Sequence, residues 1–321
     1  MKNKMINEVN VSGWIFNHEL RERKSKNGQL YISGRVNIAT DRECVSIVPV
    51  NFIFITPEYK SGKSNPNYST LSNLIESNAT VEAVGIENAT MLRISGDISV
   101  NDFVNNSDEM VSSMQVRGGF VHVVNGASQL PSPEKAATSS ADFLCNQVQE
   151  REFDDESFLT LSGYVFNFRN DFIPVSFNVR TPAGIDYFQG LDISNSEPYF
   201  SKIWGNIVNT TVRRENTVES AFGEPEVSFT EFSRRSWDIA GAAVEAYPVG
   251  SEEEIGSDEG ITFEEIKAGL TKRRADLDDV RKRHDDYVAS RNGGGSSAFA
   301  APAPKKQEKK SESPFDDDFE F

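Results

Sequence analysis

Two seven-residue segments, 150 positions apart, constrain this chain more than any other feature. Residues 11–17 read VSGWIFN and residues 161–167 read LSGYVFN. In the first, Val9, Val11, Gly13 and Ile15 alternate with Trp14 and Phe16. In the second, Leu159, Leu161, Gly163 and Val165 alternate with Tyr164 and Phe166. Period-two alternation is the mark of a β-strand. A glycine inside such a strand signals a bulge or a sharp bend, which a strand needs if it is to turn a corner of a small closed barrel. Recurrence at domain spacing predicts two β-rich domains, each opened by one copy.

The segments after the first copy give the order of elements. The pair Asn27-Gly28 predicts a hairpin turn before a strand over Leu30–Ala39. Cys44–Ile55 is rich in Val, Ile and Phe, and Ser69–Glu76 reads as a short helix. Thr80–Ile86 and Thr90–Ile94 then read as a hairpin around Glu87-Asn88, and residues 113–124 suggest a further strand. Three strands, a helix and two strands is the order of a five-stranded OB barrel. After the second copy we expect strands near 158–168 and 172–181, a helix around Glu197–Trp204, and strands at 205–213 and 226–233.

The expected fold class is mainly β: two OB-type Greek-key barrels in tandem, then a C-terminal amphipathic helix and a disordered acidic tail. The first OB-type domain takes residues 1–125 and a linker takes 126–152, of which residues 126–141, GASQLPSPEKAATSSA, have the composition of a loop. The second OB-like domain takes 153–250. An acidic segment and the helix take 251–291, with Thr262 and Glu265 as a capping box. Behind the box, Phe263, Ile266, Leu270, Leu277, Val280 and Tyr287 form an apolar seam broken by Arg273 and His284. That seam either packs on the second barrel or serves self-association or a partner helix. A flexible segment covers 292–313, and 314–321 is an acidic tip carrying Phe315, Asp316, Asp317, Asp318, Phe319, Glu320 and Phe321.

The formal net charge is -16, which taken whole argues against a nucleic-acid partner. The distribution reverses that reading. Residues 1–125 hold 12 Lys and Arg against 13 Asp and Glu, and the excess acid lies at Glu252–Glu265 and in the tip. A local basic groove in the first domain is therefore compatible with the total. Two cysteines are too few for a disulfide framework. With no apolar leader and no run of about 18 apolar residues, the expected location is the cytoplasm, with no membrane partner.

Single-strand binders combine basic residues with aromatic platforms, because every nucleotide carries a phosphate and a π-face. In the first domain the candidate aromatics are Trp14, Phe16, Tyr31, Phe54 and Tyr59. The candidate cations are Arg21, Arg23, Lys24, Lys26, Arg35, Lys60 and Lys63. Arg21–Lys26 falls between the first two strands, a loop that OB folds use for ligands. The second domain offers Tyr164, Phe166, Phe168, Arg169, Phe172, Arg180, Arg213 and Arg214. An aromatic in a barrel strand is also an ordinary core residue, and a basic loop an ordinary solvated surface. No phosphate-loop, dinucleotide, HExxH or paired CxxC motif occurs, and His18, His122 and His284 lie far apart. We expect no catalysis, metal or cofactor.

The tip places Phe residues among aspartates. Exposed phenyl rings gain nothing in water, so this pattern suits a basic-rimmed apolar pocket on a partner. With a flexible segment before it, the layout resembles the single-stranded DNA-binding proteins of bacteria and, more closely, of their phages. FDDDFEF is similar to their acidic Phe-ending tip without the Ile-Pro step of the bacterial version. The resemblance implies sequence-independent binding of single-stranded DNA in replication, recombination and repair. It further implies a tip that docks polymerase, helicase or primase and competes with DNA for the groove. Two barrels in one chain depart from the usual one, so the expected state is a monomer or homodimer. The alternative is a structural, assembly or partner-binding barrel protein with no nucleic-acid ligand.

Overall fold

A computed structural model describes residues 5–153, 156–218, 226–255 and 259–292. The chain runs β1 (Asn7–His18), β2 (Arg21–Lys24), β3 (Leu30–Ala39), β4 (Ile47–Ile55), α1 (Pro66–Ser77), α2 (Val81–Val84), β5 (Met91–Val104) and β6 (Met110–Val124). It continues with β7 (Ala137–Phe153), β8 (Glu156–Phe166), β9 (Phe172–Val179), α3 (Pro182–Gln189), β10 (Tyr199–Val218) and β11 (Glu226–Ala242). The short β12 (Val249–Gly250), α4 (Glu252–Ile255) and β13 (Ile261–Thr262) lead into α5 (Phe263–Asn292).

The first barrel closes as β1-β3-β4-β6-β5-β1. Every contact in it is antiparallel except β4–β6, which is parallel at Val50↔Val116 and Asn51↔Arg117. With α1 between its third and fourth strands, this is the OB order. The second closes as β7-β8-β9-β11-β10-β7, parallel only at Asp238↔Asn178, with α3 in the place of α1. Each interior is an aliphatic and aromatic core. Ile15, Ile32, Val36, Ile38, Val50 and Phe52 are buried in one, and Leu159, Leu161, Val165, Val175 and Phe177 in the other.

The two barrels share one sheet through β1 and β7, which pair antiparallel from Asn7↔Ala141 to Val11↔Ala137. Val9 pairs with Gly96 on one side, Ser139 pairs with Gly205 on the other, and Val9 pairs with Ser139. These positions are therefore equivalent, and a pseudo-two-fold axis passes between them. Gly96 and Gly205 each sit at a bulge in the fourth strand. A Cβ there would fall 1.9 Å from the carbonyl oxygen of Arg117 or Asp238. Only glycine allows that approach, so each bend depends on it.

Several expectations require correction. Residues 137–152, expected as linker, lie in β7, the first strand of the second barrel. The copy at 161–167 is consequently that barrel's second strand, whereas 11–17 is the first strand of its own barrel. The two copies share a steric need and not a position. A Cβ on Gly13 or Gly163 would lie 2.0 Å from a carbonyl oxygen of the strand beside it. The expected strand at Thr80–Ile86 is largely α2, because the Thr80 hydroxyl caps a helical turn by accepting from the Ala83 N–H at 3.3 Å. β5 and β6 are the true fourth and fifth strands. The helix of the second barrel is α3, and Tyr199–Trp204 belongs to β10.

The capping box forms as expected. Thr262 donates its N–H to Glu265 at 3.0 Å, and Glu265 returns one to the Thr262 hydroxyl at 3.1 Å. The first half of α5 packs on the second barrel through Ile266, with Phe263 and Leu270 against the cluster of Tyr164, Phe166 and Phe172. Arg273, the break in the apolar seam, reaches the first barrel. It donates to both carboxylate oxygens of Asp102, at 2.7 and 2.5 Å, and to Ser112 at 2.9 Å. No helix among the described residues is long and apolar enough to cross a membrane.

Candidate nucleic-acid interface

Strand alternation builds this surface. Ile32, Val36 and Ile38 of β3 point into the first barrel, so Tyr31, Ser33, Arg35 and Asn37 point out. β2 lies antiparallel on β3 with Arg21 opposite Ser33 and Arg23 opposite Tyr31. Residues directly opposite share a face, which brings Arg21 and Arg23 beside Tyr31. Between them, Glu22 turns to the other side and accepts the Tyr68 hydroxyl of α1 at 2.6 Å. That hydrogen bond, with burial and the Glu22 charge, pushes the Tyr68 phenol up to about 12. The tie to α1 fixes which way β2 presents its arginines.

Phe54 completes the face by an unusual route. The β3–β4 register shifts between Ile32 and Gly34, leaving an extra residue on β4. Phe54 takes up the bulge at φ 55°, in the left-handed region that bulky residues avoid. Its ring thereby lands on Tyr31, with centroids 4.5 Å apart and planes 32° apart. Phe54 is nonetheless 47% exposed. A strained, stacked and exposed phenyl ring is an open platform for a further flat ring.

The basic loops gather at the same end of this ribbon. Lys24 pairs with Leu30 next to Tyr31, and Lys26 lies in the turn at Gly28. The loop leaving β4 is closed by Gly62 N–H to Tyr59 O at 2.9 Å and Tyr59 N–H to Lys63 O at 2.8 Å, which leaves Tyr59, Lys60 and Lys63 exposed. Among the described residues none of Arg21, Arg23, Lys24, Lys26, Arg35, Lys60 or Lys63 forms an ion pair. Arg35 reaches only the neutral Asn51 side chain at 3.4 Å. Seven cations without acidic partners on and around one aromatic face make a surface suited to a polyanion with π-faces.

Two expected residues fall elsewhere. Trp14 is half-buried between Ala39 and Met91, at the other end of β1 and β3 from Tyr31. Phe16 occupies a bulge of β1 and lines a groove between the barrels together with Arg35. His18 at the corner of β1 is pushed below its ordinary value by burial, which outweighs the raising influence of the nearby Asn78 side chain. It therefore adds no cation at neutral pH.

Among the described residues the second barrel does not repeat this surface. Register equates Tyr31, Ser33, Arg35 and Asn37 with Glu156, Phe158, Thr160 and Ser162. Glu156 and Asp238 hold the nearby cations: Arg180 pairs with them at 2.8 and 3.5 Å, and Arg234 at 4.0 and 3.6 Å. Arg180 also lies over the Phe158 ring at 4.2 Å. Tyr164, Phe166 and Phe172, expected as platforms, are buried beneath the segment that ends in α5. Phe168 is exposed with Arg169 over its ring at 5.1 Å, and the side chains of Arg213 and Arg214 lie outside the described residues. The expected tip, residues 314–321, also lies outside them. Among the described residues no three His, Cys, Asp or Glu side chains group as metal ligands.

Solved structures similar to this chain include the wild-type single-stranded DNA binding protein from Thermus aquaticus, at 11% identity and a TM-score of 0.44. The match covers 75% of this chain and 93% of that one. A deletion mutant of the same protein matches at 12% identity and a TM-score of 0.45, over 76% and 98%. No curated protein sequence matches. The family model described as YorF matches residues 5–257, most of the chain. By that match the chain belongs to the YorF family.

Proposed function

We propose that the chain binds single-stranded DNA with little sequence preference, on the exterior face of its first barrel. The observation that carries this reading is the exposed Tyr31–Phe54 stack flanked by Arg21, Arg23, Lys24, Lys26, Lys60 and Lys63, none of them ion-paired among the described residues. Stacking on aromatic faces tolerates any base, and the lysines and arginines meet phosphates. The net charge of -16 does not oppose this, because the first domain is near neutral. The second barrel serves as scaffold, its counterpart face carrying Glu156 where the first has Tyr31.

In this reading the protein acts in the cytoplasm as a monomer or homodimer and coats strands exposed during replication, recombination and repair. Residues 314–321 recruit a replication protein and compete with DNA as a tethered polyanion. Titrating labelled oligo-dT at two salt concentrations tests the central part. Affinity that falls steeply with salt is expected, and absence of binding at low salt would refute it.

A further inference from the structure

A groove of about 550 Å3 runs where the second barrel's β10–β11 hairpin leans on the first barrel. Its floor is Phe16, Asn17, Arg35 and Asn37, and its far wall carries Arg235 and Trp237. One end is pinned by Ser46 bridging Thr210 and by the Asn209 amide donating to the Ile47 carbonyl. The floor continues the binding face just described, since Arg35 and Asn37 follow Tyr31 and Ser33 outward along β3.

The pseudo-two-fold axis gives this groove an internal control. Asp238 and Arg117 occupy equivalent places, each paired in parallel with an Asn of the third strand. Three residues before them stand Arg235 and Met114. Met114 lies against β9, where the Ser176 N–H donates to its sulfur at 3.2 Å, and it lines the same groove as a half-buried, uncharged side chain. Arg235 instead stands exposed at the groove and forms no ion pair among the described residues. Trp237 packs one side against Phe177, with centroids 6.5 Å apart, and lines the groove beside Arg235. At this position one barrel contributes a packing residue and the other a free cation beside an aromatic.

We propose that the inter-barrel groove is a second subsite for the same single strand. Arg35 from the first barrel and Arg235 from the second take one phosphate, the Asn17 and Asn37 carboxamides meet base edges, and Phe16 and Trp237 offer apolar contact to a base. The strand reaches it by running along β3 from the Tyr31–Phe54 platform. The second barrel thus contributes two residues to binding. The inference rests on the single-strand reading of the first barrel.

The test compares wild type with Arg235→Glu on oligo-dT of about 6 and about 20 nucleotides, lengths chosen to fill one subsite or both. Arg235 is exposed and unpaired among the described residues, so the variant should fold, with its thermal midpoint as the control. Expected is an affinity loss of about tenfold on the long strand, a salt slope smaller by about one, and no change on the short strand. A long strand carrying 5-iododeoxyuridine should also cross-link to Phe16 or Trp237. Wild-type binding with Arg235→Glu unchanged on the long strand, or equally weakened on both lengths, overturns the second subsite and leaves the first-barrel reading standing. Failure of wild type to bind either strand at low salt removes that reading and the subsite with it.

Discussion

At the scale of single residues, the proposed binding face would have Phe54 couple stability to function. Its left-handed backbone costs roughly 1–3 kcal/mol, while its ring extends the aromatic platform beside Tyr31. Phe54→Gly should therefore raise the unfolding free energy and weaken oligo-dT binding by about 1–3 kcal/mol, the usual worth of one stacked base. Denaturant melts and anisotropy titrations read the two effects separately. A variant that binds as well as wild type would show that the ring is no platform. The individual site residues were partly legible in the sequence. Arg21–Lys26 stands out by density of charge, and Tyr31 only as one of the aromatics close to it in sequence. Phe54 was named as an aromatic, but the bulge that aims it follows from strand register, which no local pattern encodes. Arg235 and Trp237 went unseen because they lie on another barrel, some 200 positions from Arg35. Alternation in β1 singles out Trp14 as facing away from the Val9–Ile15 core strip, yet sheet pairing leaves it half-buried.

At the scale of elements, α5 clamps the barrels by two kinds of contact. Ile266 and Leu270 bury against the second, and Arg273 forks onto Asp102 of the first with both side chains largely shielded. Burial alone would raise the Asp102 carboxyl. The Arg273 and Ser112 hydrogen bonds and the Arg273 charge outweigh it and hold the group below its ordinary value. A depressed carboxylate contributes stability that is full above its unfolded pKa and is lost as pH falls through the folded one. The protection factors of α5 amides, taken relative to the intrinsic exchange rate at each pH, should thus fall in acid, below the ordinary carboxylate range. In Asp102→Asn that pH dependence should disappear. Removing one partner of a shielded pair costs about 3–5 kcal/mol, so Arg273→Ala should expose α5 to limited proteolysis at neutral pH. Resistance equal to wild type would place the docking energy in the apolar contacts alone. The capping box and seam made this helix readable in advance. Its partner on the first barrel was not, since an arginine inside an apolar seam reads as a defect until its carboxylate is known.

At the scale of the molecule, the β1–β7 pairing makes two barrels one sheet, and that sets both cooperativity and asymmetry. Trp14 belongs to the first barrel, Trp204 and Trp237 to the second. Single-tryptophan variants reporting on either side should melt in one coincident transition with the circular dichroism. Separate midpoints would mean that the shared strands do not couple the barrels. The tandem architecture was visible as two β-rich halves, yet β7 hid as apparent linker. Its N-terminal half pairs with β1 and β10 at once, and Ala137, Ser139 and Ala141 are small and buried where the barrels meet. That close approach removes the large apolar residues by which a strand is ordinarily recognised. The sharpest division of labour lies between the equivalent faces, with Tyr31 and unpaired cations on one and Glu156 with clamped arginines on the other. The most direct measurement is therefore the affinity and salt slope for oligo-dT of wild type beside the Arg21→Glu/Arg23→Glu double variant. We expect the variant, folded as judged by its melting curve, to lose at least tenfold in affinity and about two from the slope. Undiminished binding with an unchanged slope would contradict the assignment of the first-barrel face as the place where single strands bind.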